Sequence, residues 1–481
     1  MNFQAASRKS NDPVPLVVDL DGTLITSDLL IETGIAHVAR RPLAIFELLA
    51  ALRRGKAELK HVVAHSADLD VERLPYDGAI LDLIQAARAE GRPVYLATAS
   101  HETYANAVAA HLGLFDGVFS TTREVNLSGA RKAAVLVEAF GARGFDYVAN
   151  HADDLPIWRE ARVAHAVRTP KAVQRKARAA AERLEVIDSP GPSPTVWLKA
   201  LRVHQYAKNM LLFLALAASH SFTLQAIILA GLGFVSFCLA ASSIYLVNDM
   251  IDVAADRRHP SKHRRPFASG TLSLTSGMVA SVVLLVGAVA ISFFVTPLFQ
   301  LCLATYIALT TAYSFWLKRK MLVDVVALAM LYTIRVLAGA AAITVEPSQW
   351  LLAFSLFAFT SLALIKRYTE LTVLLDRDLP DSSNRNYKKS DLPVLAAMAG
   401  ATIANSVTVF ALYISSPLVV SSYRHPKVLW AVCPILLYAL GRTLMMAHRR
   451  MMHDDPIVFA LKDNVTRLAV LLTGVLFLIA I

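Results

Sequence analysis

The sequence predicts two folds in series: an α/β (Rossmannoid) domain with a helical cap over residues 1–188, and an all-α bundle of about nine membrane-spanning helices over residues 197–481, joined by a linker at 189–196. Three observations predict it. Up to residue 196 short apolar strands alternate with helical segments, whereas from residue 207 long apolar runs are separated by charged stretches. The composition, 55% hydrophobic with a mean hydropathy of +0.48, is too apolar for a wholly soluble chain of 481 residues. The charge is also uneven: residues 1–196 hold 23 Lys+Arg against 24 Asp+Glu, leaving 25 against 13 for the remainder.

Val14–Val18 (VPLVV) reads as a short strand running into acidic residues, and Val94–Ala97 and Tyr147–Ala149 read as further strands after helical segments, which is the parallel-sheet pattern. Residues 28–88 are mostly helical and interrupt that alternation, as a substrate-selecting cap would. A basic, Ala-rich helix near Lys171–Arg183 precedes Ser189-Pro-Gly-Pro-Ser-Pro194, whose prolines and glycine stop any helix. The N-terminal MNFQAASRKSNDPVP has no apolar stretch to serve as a signal peptide, so the first domain is expected in the cytosol.

Nine spans are expected, at 207–223, 225–247, 273–295, 297–317, 322–344, 350–365, 392–415, 428–447 and 465–481. Loops on the side of the N-terminal domain carry 19 Lys+Arg, and the opposite loops carry Arg424 and Lys427. The positive-inside bias therefore places the basic loops and the N-terminal domain together, in a multi-pass protein of the bacterial inner membrane type. The basic excess sits between apolar spans, where it suits anionic headgroups or polyanionic substrates and argues against nucleic acid. Cys238, Cys302 and Cys433 all fall in apolar runs, with neither metal nor disulfide spacing. Oligomeric state is not legible.

Asp19-Leu-Asp21-Gly-Thr23 directly follows the first strand and puts two carboxylates at the carboxyl edge of the sheet, where α/β sites form. With Thr98 ending VYLAT, Lys132 in GARKAAVLVEAFG, and Asn150-His-Ala-Asp-Asp154 after DYVA, the ordered set resembles the haloacid-dehalogenase phosphatases. The resemblance implies Asp19 as nucleophile, Asp21 as proton shuttle, Thr98 and Lys132 on phosphoryl oxygens, and Mg²⁺ on Asp19, Asp21 and Asp154. Asn150 stands where that family usually has an acid, which moves the metal-binding expectation to Asp154, with Asp153 the weaker candidate.

In Asn248-Asp249-Met-Ile-Asp252-Val-Ala-Ala-Asp256 the acids are spaced three and four apart, so on a helix they share one face. Clustered at a membrane end they repel unless a cation joins them, and oxygen ligands suit Mg²⁺ bridging to a diphosphate. A solvated acidic helix end paired with Arg257 and Arg258 is the plainer alternative. NDxxDxxxD is similar to the first signature of the UbiA intramembrane prenyltransferases, and implies Mg²⁺ on Asp249, Asp252 and Asp256. The second signature is partial: Asp324 follows Tyr313-Ser-Phe-Trp-Leu-Lys318, but Leu328 stands where a second acid is usual.

Further segments resemble the decaprenyl-phosphate phosphoribosyltransferase branch. They are LRVHQYAKN (Arg202, Gln205, Lys208, Asn209), HPSKHRRPFASG (Lys262, Arg265), LKRKMLVDVV (Lys318, Asp324), YTIRVLAGA (Arg335), LIKRYTEL (Lys366, Arg367, Glu370) and DDPIVFALKDNVT (Asp455, Lys462, Asp463). That branch must hold a diphosphate, a 5-phosphate and a lipid phosphate, which calls for more cations than prenyl transfer does. The resemblance implies phosphate contacts from Arg202, Lys208, Lys262, Arg265, Lys318, Arg335, Lys366 and Arg367, substrate contacts from Asn248 and Tyr313, and a metal ligand at Asp324. The expected reaction is Mg²⁺-dependent transfer of a phosphoribosyl group from phosphoribosyl pyrophosphate to polyprenyl phosphate, with the product then dephosphorylated. The alternatives are prenyl transfer from a prenyl diphosphate to an aromatic acceptor, and a membrane scaffold of two inactive folds.

The topology is checked by cysteine labelling in a background lacking Cys238, Cys302 and Cys433. Position 386 should label from the cytosol and position 421 only from outside; labelling of 421 from the cytosol contradicts the arrangement.

Overall fold

In the computed structural model, which describes residues 13–66, 69–187, 191–220, 222–259, 261–378, 385–452 and 456–481, the chain divides into two units. One contains the described residues up to Leu201 together with Tyr245–Ser281; the other contains Arg202–Ile244 and Val282–Ile481.

The first unit is built on β1 (Leu16–Val18), β2 (Val94–His101), β3 (Gly117–Thr121), β4 (Asp146–Ala149), β5 (Ala164–Val167) and β6 (Leu184–Ile187), all parallel in the order β3-β2-β1-β4-β5-β6. Period-two alternation divides β1 between two cores. Leu16 and Val18 pack with Ile80, Leu96 and Val108, while Val17 packs with Ala97, Tyr147 and Trp158 on the opposite face. Both faces are thus covered, as a parallel sheet requires. Because β1 is central and pairs with both β2 and β4, the residues just past its carboxyl end lie between two neighbouring strand ends. This is where open α/β sheets bind ligands.

The insertion expected over 28–88 is, in the structure, three helices: α1 (Leu29–Arg40), α2 (Ala44–Arg54) and α3 (Lys56–Ser66). The helix Gly78–Ala89 belongs instead to the sheet layer, because Ile80, Ile84 and Ala87 join the core around Leu16 and Val94. Asp28 caps α1 by accepting from the Ile31 amide at 3.0 Å, so the cap begins abruptly after the DxDGT loop. The basic helix spans Lys171–Ala180 and is followed by β6, which the sequence reading did not anticipate. Ser189 and Pro190 of the expected linker lie outside the described residues, and helix Pro194–Ala200 follows.

From Pro194 on, the described elements are all helices. Among the described residues, seven helices are long and apolar enough to cross a membrane: Leu224–Ile251, Leu274–Ser292, Pro297–Phe315, Val323–Ala342, Gln349–Asp376, Lys389–Ile414 and Pro426–His448. Two of the nine expected spans differ. Where a span was expected at 207–223, the described residues form a 3₁₀ stretch, Val203–Leu212, running into a six-residue helix, Phe213–Ala218, because the polar HQYAKN segment and the break at Ser219 leave too short an apolar run. The last span is the apolar helix Asn464–Ala480, of 17 residues.

Candidate functional site

Four chemistry-bearing segments meet past the end of β1. The Lys132 ammonium, buried on the helix Gly129–Phe140, lies 2.9 Å from Asp19 Oδ1 and 3.3 Å from Asp154 Oδ1. Asp154 also accepts from the Tyr147 hydroxyl at 3.1 Å and is buried, whereas the Asp153 side chain is 75% exposed, so only Asp154 joins the cluster. Asp21 turns the other way: its Oδ2 accepts from Ser100 Oγ at 2.6 Å and, distantly, from Thr98 Oγ1 at 3.5 Å, while its Oδ1 accepts from the Leu29 amide at 2.8 Å. The proton-shuttle candidate is therefore bonded to the first residue of the cap.

Burial pushes the Asp19 carboxyl up to about 6 against the pull of Lys132. Burial, reinforced by the Asp28 charge, pushes Asp21 up to about 7. Asn150 is accounted for by packing: its amide lies so close over Gly22, at φ +71°, that an added Cβ would sit 2.1 Å from Asn150 Nδ2, and its Oδ1 accepts from Thr23 Oγ1 at 3.3 Å. It supports the DxDGT loop where a charged residue was expected.

Three residues escaped the sequence reading. Arg168, itself in the left-handed region at φ 50°, donates to the Gly22 carbonyl at 2.8 Å and the Thr23 carbonyl at 2.6 Å and pairs with Asp77, which clamps the DxDGT turn. Lys60 on α3 donates to the Ala99 carbonyl at 2.6 Å and Asn126 Oδ1 at 2.7 Å, and burial lowers its pKa. Ser100 follows the phosphate-binding candidate by two positions. None of the three belongs to a spacing that sequence alone marks.

The first acidic segment stays helical through a local break. The Asp252 amide donates to the Asn248 carbonyl at 3.0 Å and the Asp256 amide to the Asp252 carbonyl at 2.8 Å, keeping the three acids in helical register. Arg265 draws two of them together, with Nη1 3.0 Å from Asp249 Oδ1 and 2.7 Å from Asp256 Oδ2. Burial pushes Asp256 up to about 6 despite Arg265. Lys262 is exposed on the same return loop.

In the second unit, Asp324, expected as a metal ligand, is engaged by protein. Its Oδ1 accepts from the Tyr387 hydroxyl at 2.5 Å, and its Oδ2 lies 2.6 Å from Arg367 Nε in an ion pair whose angle falls outside hydrogen-bond geometry. Arg367 also donates to the Tyr313 hydroxyl at 3.0 Å and pairs with Glu370, which pairs in turn with Arg385. Arg335 is likewise spoken for, donating to Asn209 Oδ1 at 2.8 Å, to the Tyr306 hydroxyl at 3.1 Å and to the Leu331 carbonyl. Both arginines were expected on phosphate; both are buried, 1% and 4% exposed, and a guanidinium inside a helical bundle must have its donors met by the protein. Lys208 lies 5.7 Å over the Tyr332 ring, Arg202 opens the 3₁₀ stretch at φ 52°, Lys318 sits in the turn Leu317–Arg319, and Lys366 precedes Arg367 on its helix. Asp455 lies outside the described residues.

A family model described as UbiA prenyltransferase family matches residues 209–478, over half the chain. The chain belongs to the UbiA prenyltransferase family. A second model, haloacid dehalogenase-like hydrolase, matches residues 16–159. The UbiA-family chain is 35% identical over 455 residues to the uncharacterized protein y4nM of Sinorhizobium fredii, covering 94% of this chain and 88% of that one. It is 36% identical over 278 residues to nodulation protein NoeC of Azorhizobium caulinodans, covering 57% of this chain and 90% of that one. It is 38% identical over 179 residues to decaprenyl-phosphate phosphoribosyltransferase of Corynebacterium glutamicum, covering 36% of this chain and 54% of that one. The protein is thus a UbiA-superfamily transferase with a haloacid-dehalogenase-like domain.

The donor sets fit magnesium. They are carboxylate oxygens only, and burial raises three of them, Asp19, Asp21 and Asp256, without enough positive charge nearby, which is the condition a hard cation relieves. Among the described residues no three His, Cys, Asp or Glu side chains are gathered closely enough to hold an ion unaided. Magnesium does not need such a cage, since it is held by one or two carboxylates with waters and substrate phosphates.

A pH dependence follows. Between the ordinary value of 3.8 and the folded values of about 6 and about 7, the folded protein binds protons that the unfolded chain does not. Asp19 and Asp21 therefore make the metal-free protein less stable as pH rises through that window. Mg²⁺ binds the deprotonated carboxylates, so the rise in unfolding temperature it causes should be larger at about pH 7.5 than at about pH 5. An equal rise at both values contradicts the assignment.

Proposed function

We propose that the UbiA domain transfers a 5-phosphoribosyl group from phosphoribosyl pyrophosphate to a polyprenyl phosphate, and that the haloacid-dehalogenase-like domain then removes the 5-phosphate from the lipid-linked product. The observation that carries this reading is the 38% identity over 179 residues with an enzyme named decaprenyl-phosphate phosphoribosyltransferase. The chain spans about half of that relative's length, so the activity is inferred for the whole protein.

In the transfer, an oxygen of the lipid phosphate forms a bond to ribose C1 as the bond from C1 to the diphosphate oxygen breaks. Asp249, Asp252 and Asp256 would hold Mg²⁺ that supplies positive charge to the departing diphosphate; for the later hydrolysis, Asp19, Asp21 and Asp154 would hold Mg²⁺ that supplies it to the phosphoryl group. Arg265, already between Asp249 and Asp256, keeps these carboxylates from repelling one another and offers further donors to a diphosphate. Lys262, Lys318, Lys366, Lys208 and Arg202 are the cations proposed for the 5-phosphate and the lipid phosphate, with Asn248 and Tyr313 on the substrate. Asp324 acts through Arg367, whose Nη2 orients the Tyr313 hydroxyl. Arg335 holds Asn209 in place.

In the hydrolysis, Asp19 attacks phosphorus as the bond from phosphorus to the ribose oxygen breaks, and Asp21, whose carboxyl burial raises, gives a proton to the leaving oxygen. Asp21 then takes a proton from the water that cleaves the aspartyl-phosphate. Lys132 and Thr98 bind the phosphoryl oxygens. Both domains face the cytosol in this reading, and joining them on one chain raises the enzyme concentration around a membrane-bound product.

Membranes carrying the protein, incubated with radiolabelled phosphoribosyl pyrophosphate and polyprenyl phosphate, test the reading. Asp249→Asn and Asp252→Asn should each reduce labelled lipid by about 100-fold or more, and Asp256→Asn by less. Normal transfer in the first two variants, or transfer of a prenyl group to an aromatic acceptor instead, contradicts it. In Asp19→Asn the lipid-linked 5-phosphate should persist where the wild type removes it; equal persistence in both excludes the coupled hydrolysis.

A further inference from the structure

We propose that α2 of the cap is a membrane-docking helix that lies in the interface of an anionic bilayer. Leu43, at the residue preceding the helix, is 78% exposed, and Phe46 and Leu49 are 67% and 51% exposed, with Ile45 and Leu52 also open to solvent. At 100° per residue, Ile45, Phe46, Leu49 and Leu52 fall on one side of the helix, and the opposite side is pinned to the domain through buried Ala44 and Ala51. A soluble domain does not usually leave such a stripe in water.

Two observations point to a lipid surface as its occupant. The stripe is bracketed by four exposed arginines, Arg40, Arg41, Arg53 and Arg54, against one acid within the helix, Glu47. That combination of apolar face and basic flanks suits an anionic headgroup layer. The second observation is where the cap is fastened. Arg257, six residues beyond the apolar helix Leu224–Ile251, donates from Nη1 to Glu32 Oε1 at 2.6 Å and from Nη2 to Glu32 Oε2 at 3.0 Å, and from Nε to the Ala268 carbonyl at 3.0 Å. Glu32 lies on α1, and both partners are over nine-tenths buried. Beside them Gly270, at φ +72°, approaches Thr26 so closely that an added Cβ would lie 1.7 Å from its Oγ1. A buried two-point ion pair and a glycine-only contact thus hold this part of the domain to the segment from Arg257 to Gly270, which follows a membrane-length helix in the chain, and α2 follows α1 after three residues.

This deepens the proposed hydrolysis and rests on it for its purpose: a lipid-linked phosphomonoester reaches Asp19 only if the cap lies at the headgroup layer. Its physical content is tested separately. Full-length protein lacking Cys238, Cys302 and Cys433 is spin-labelled at F46C or L49C, or at E182C on the exposed Arg143–Glu182 pair, and reconstituted in phosphatidylglycerol-containing vesicles. Labels at 46 and 49 should collide more with oxygen than with a water-soluble nickel chelate, the reverse of position 182, and the difference should shrink in purely zwitterionic vesicles. Nickel access at 46 and 49 overturns the proposal. So does shielding from both reagents, which would mean that a second copy or another protein covers the face. The double variant F46D/L49D should lose most hydrolysis of the lipid-linked substrate while hydrolysing a soluble phosphomonoester at the wild-type rate. Oxygen access at 46 and 49 together with normal lipid-linked hydrolysis in F46D/L49D supports docking and removes only the claim that docking serves that hydrolysis.

Discussion

Carboxylates taken out of water must be met by positive charge, and most of the functional anatomy of this protein answers that demand. Asp19 and Asp154 share Lys132, Asp249 and Asp256 share Arg265, Glu32 takes both ends of Arg257, and Asp324 takes Arg367. In each case removal of the cation alone would leave a buried charge stranded, at a cost of about 3–5 kcal/mol. Pairing is incomplete at three carboxyls: around Asp19, Asp21 and Asp256 the desolvation exceeds what one cation or a few hydroxyls return. A divalent cation held there would restore that balance.

The same constraint separates side chains that position from side chains free to bind. Arg335 and Arg367 belong to motifs rich in phosphate-binding cations, yet within the bundle their guanidinium groups are consumed by Asn209, Tyr306, Asp324 and Glu370. Arg265 differs because it sits on a return loop, part-exposed, between two acids that a diphosphate and its cation would share. A buried arginine builds the wall of a site; a loop arginine can exchange partners when substrate arrives.

The site was legible where chemistry is written into spacing. The DxDGT turn after an apolar strand, the lysine on its helix, and acids three and four apart could each be read from neighbours in sequence, and the structure brings Asp19, Asp21, Thr98, Lys132 and Asp154 to one sheet edge. Arg168, Lys60 and Ser100 were not legible, because nothing local distinguishes an arginine that folds back 146 residues onto the Gly22 carbonyl from one on the surface. Asn150 was visible as a departure, but its role over Gly22 depends on a contact 128 residues away in the chain.

The sequence by itself determined the division into an α/β domain and a membrane bundle, because hydrophobic periodicity and apolar run length are properties of consecutive residues. It also determined which strand end carries the DxDGT loop. Tertiary structure decided which charges are free: the pairing of Asp324 with Arg367 and of Glu32 with Arg257 follows from distances that no local pattern encodes. It decided too that the polar stretch from Val203 to Leu212 winds as a 3₁₀ segment, and that α2 turns its apolar side away from its own domain. Amphipathicity fixes that such a helix has an apolar face; only packing decides whether the domain or something else covers it.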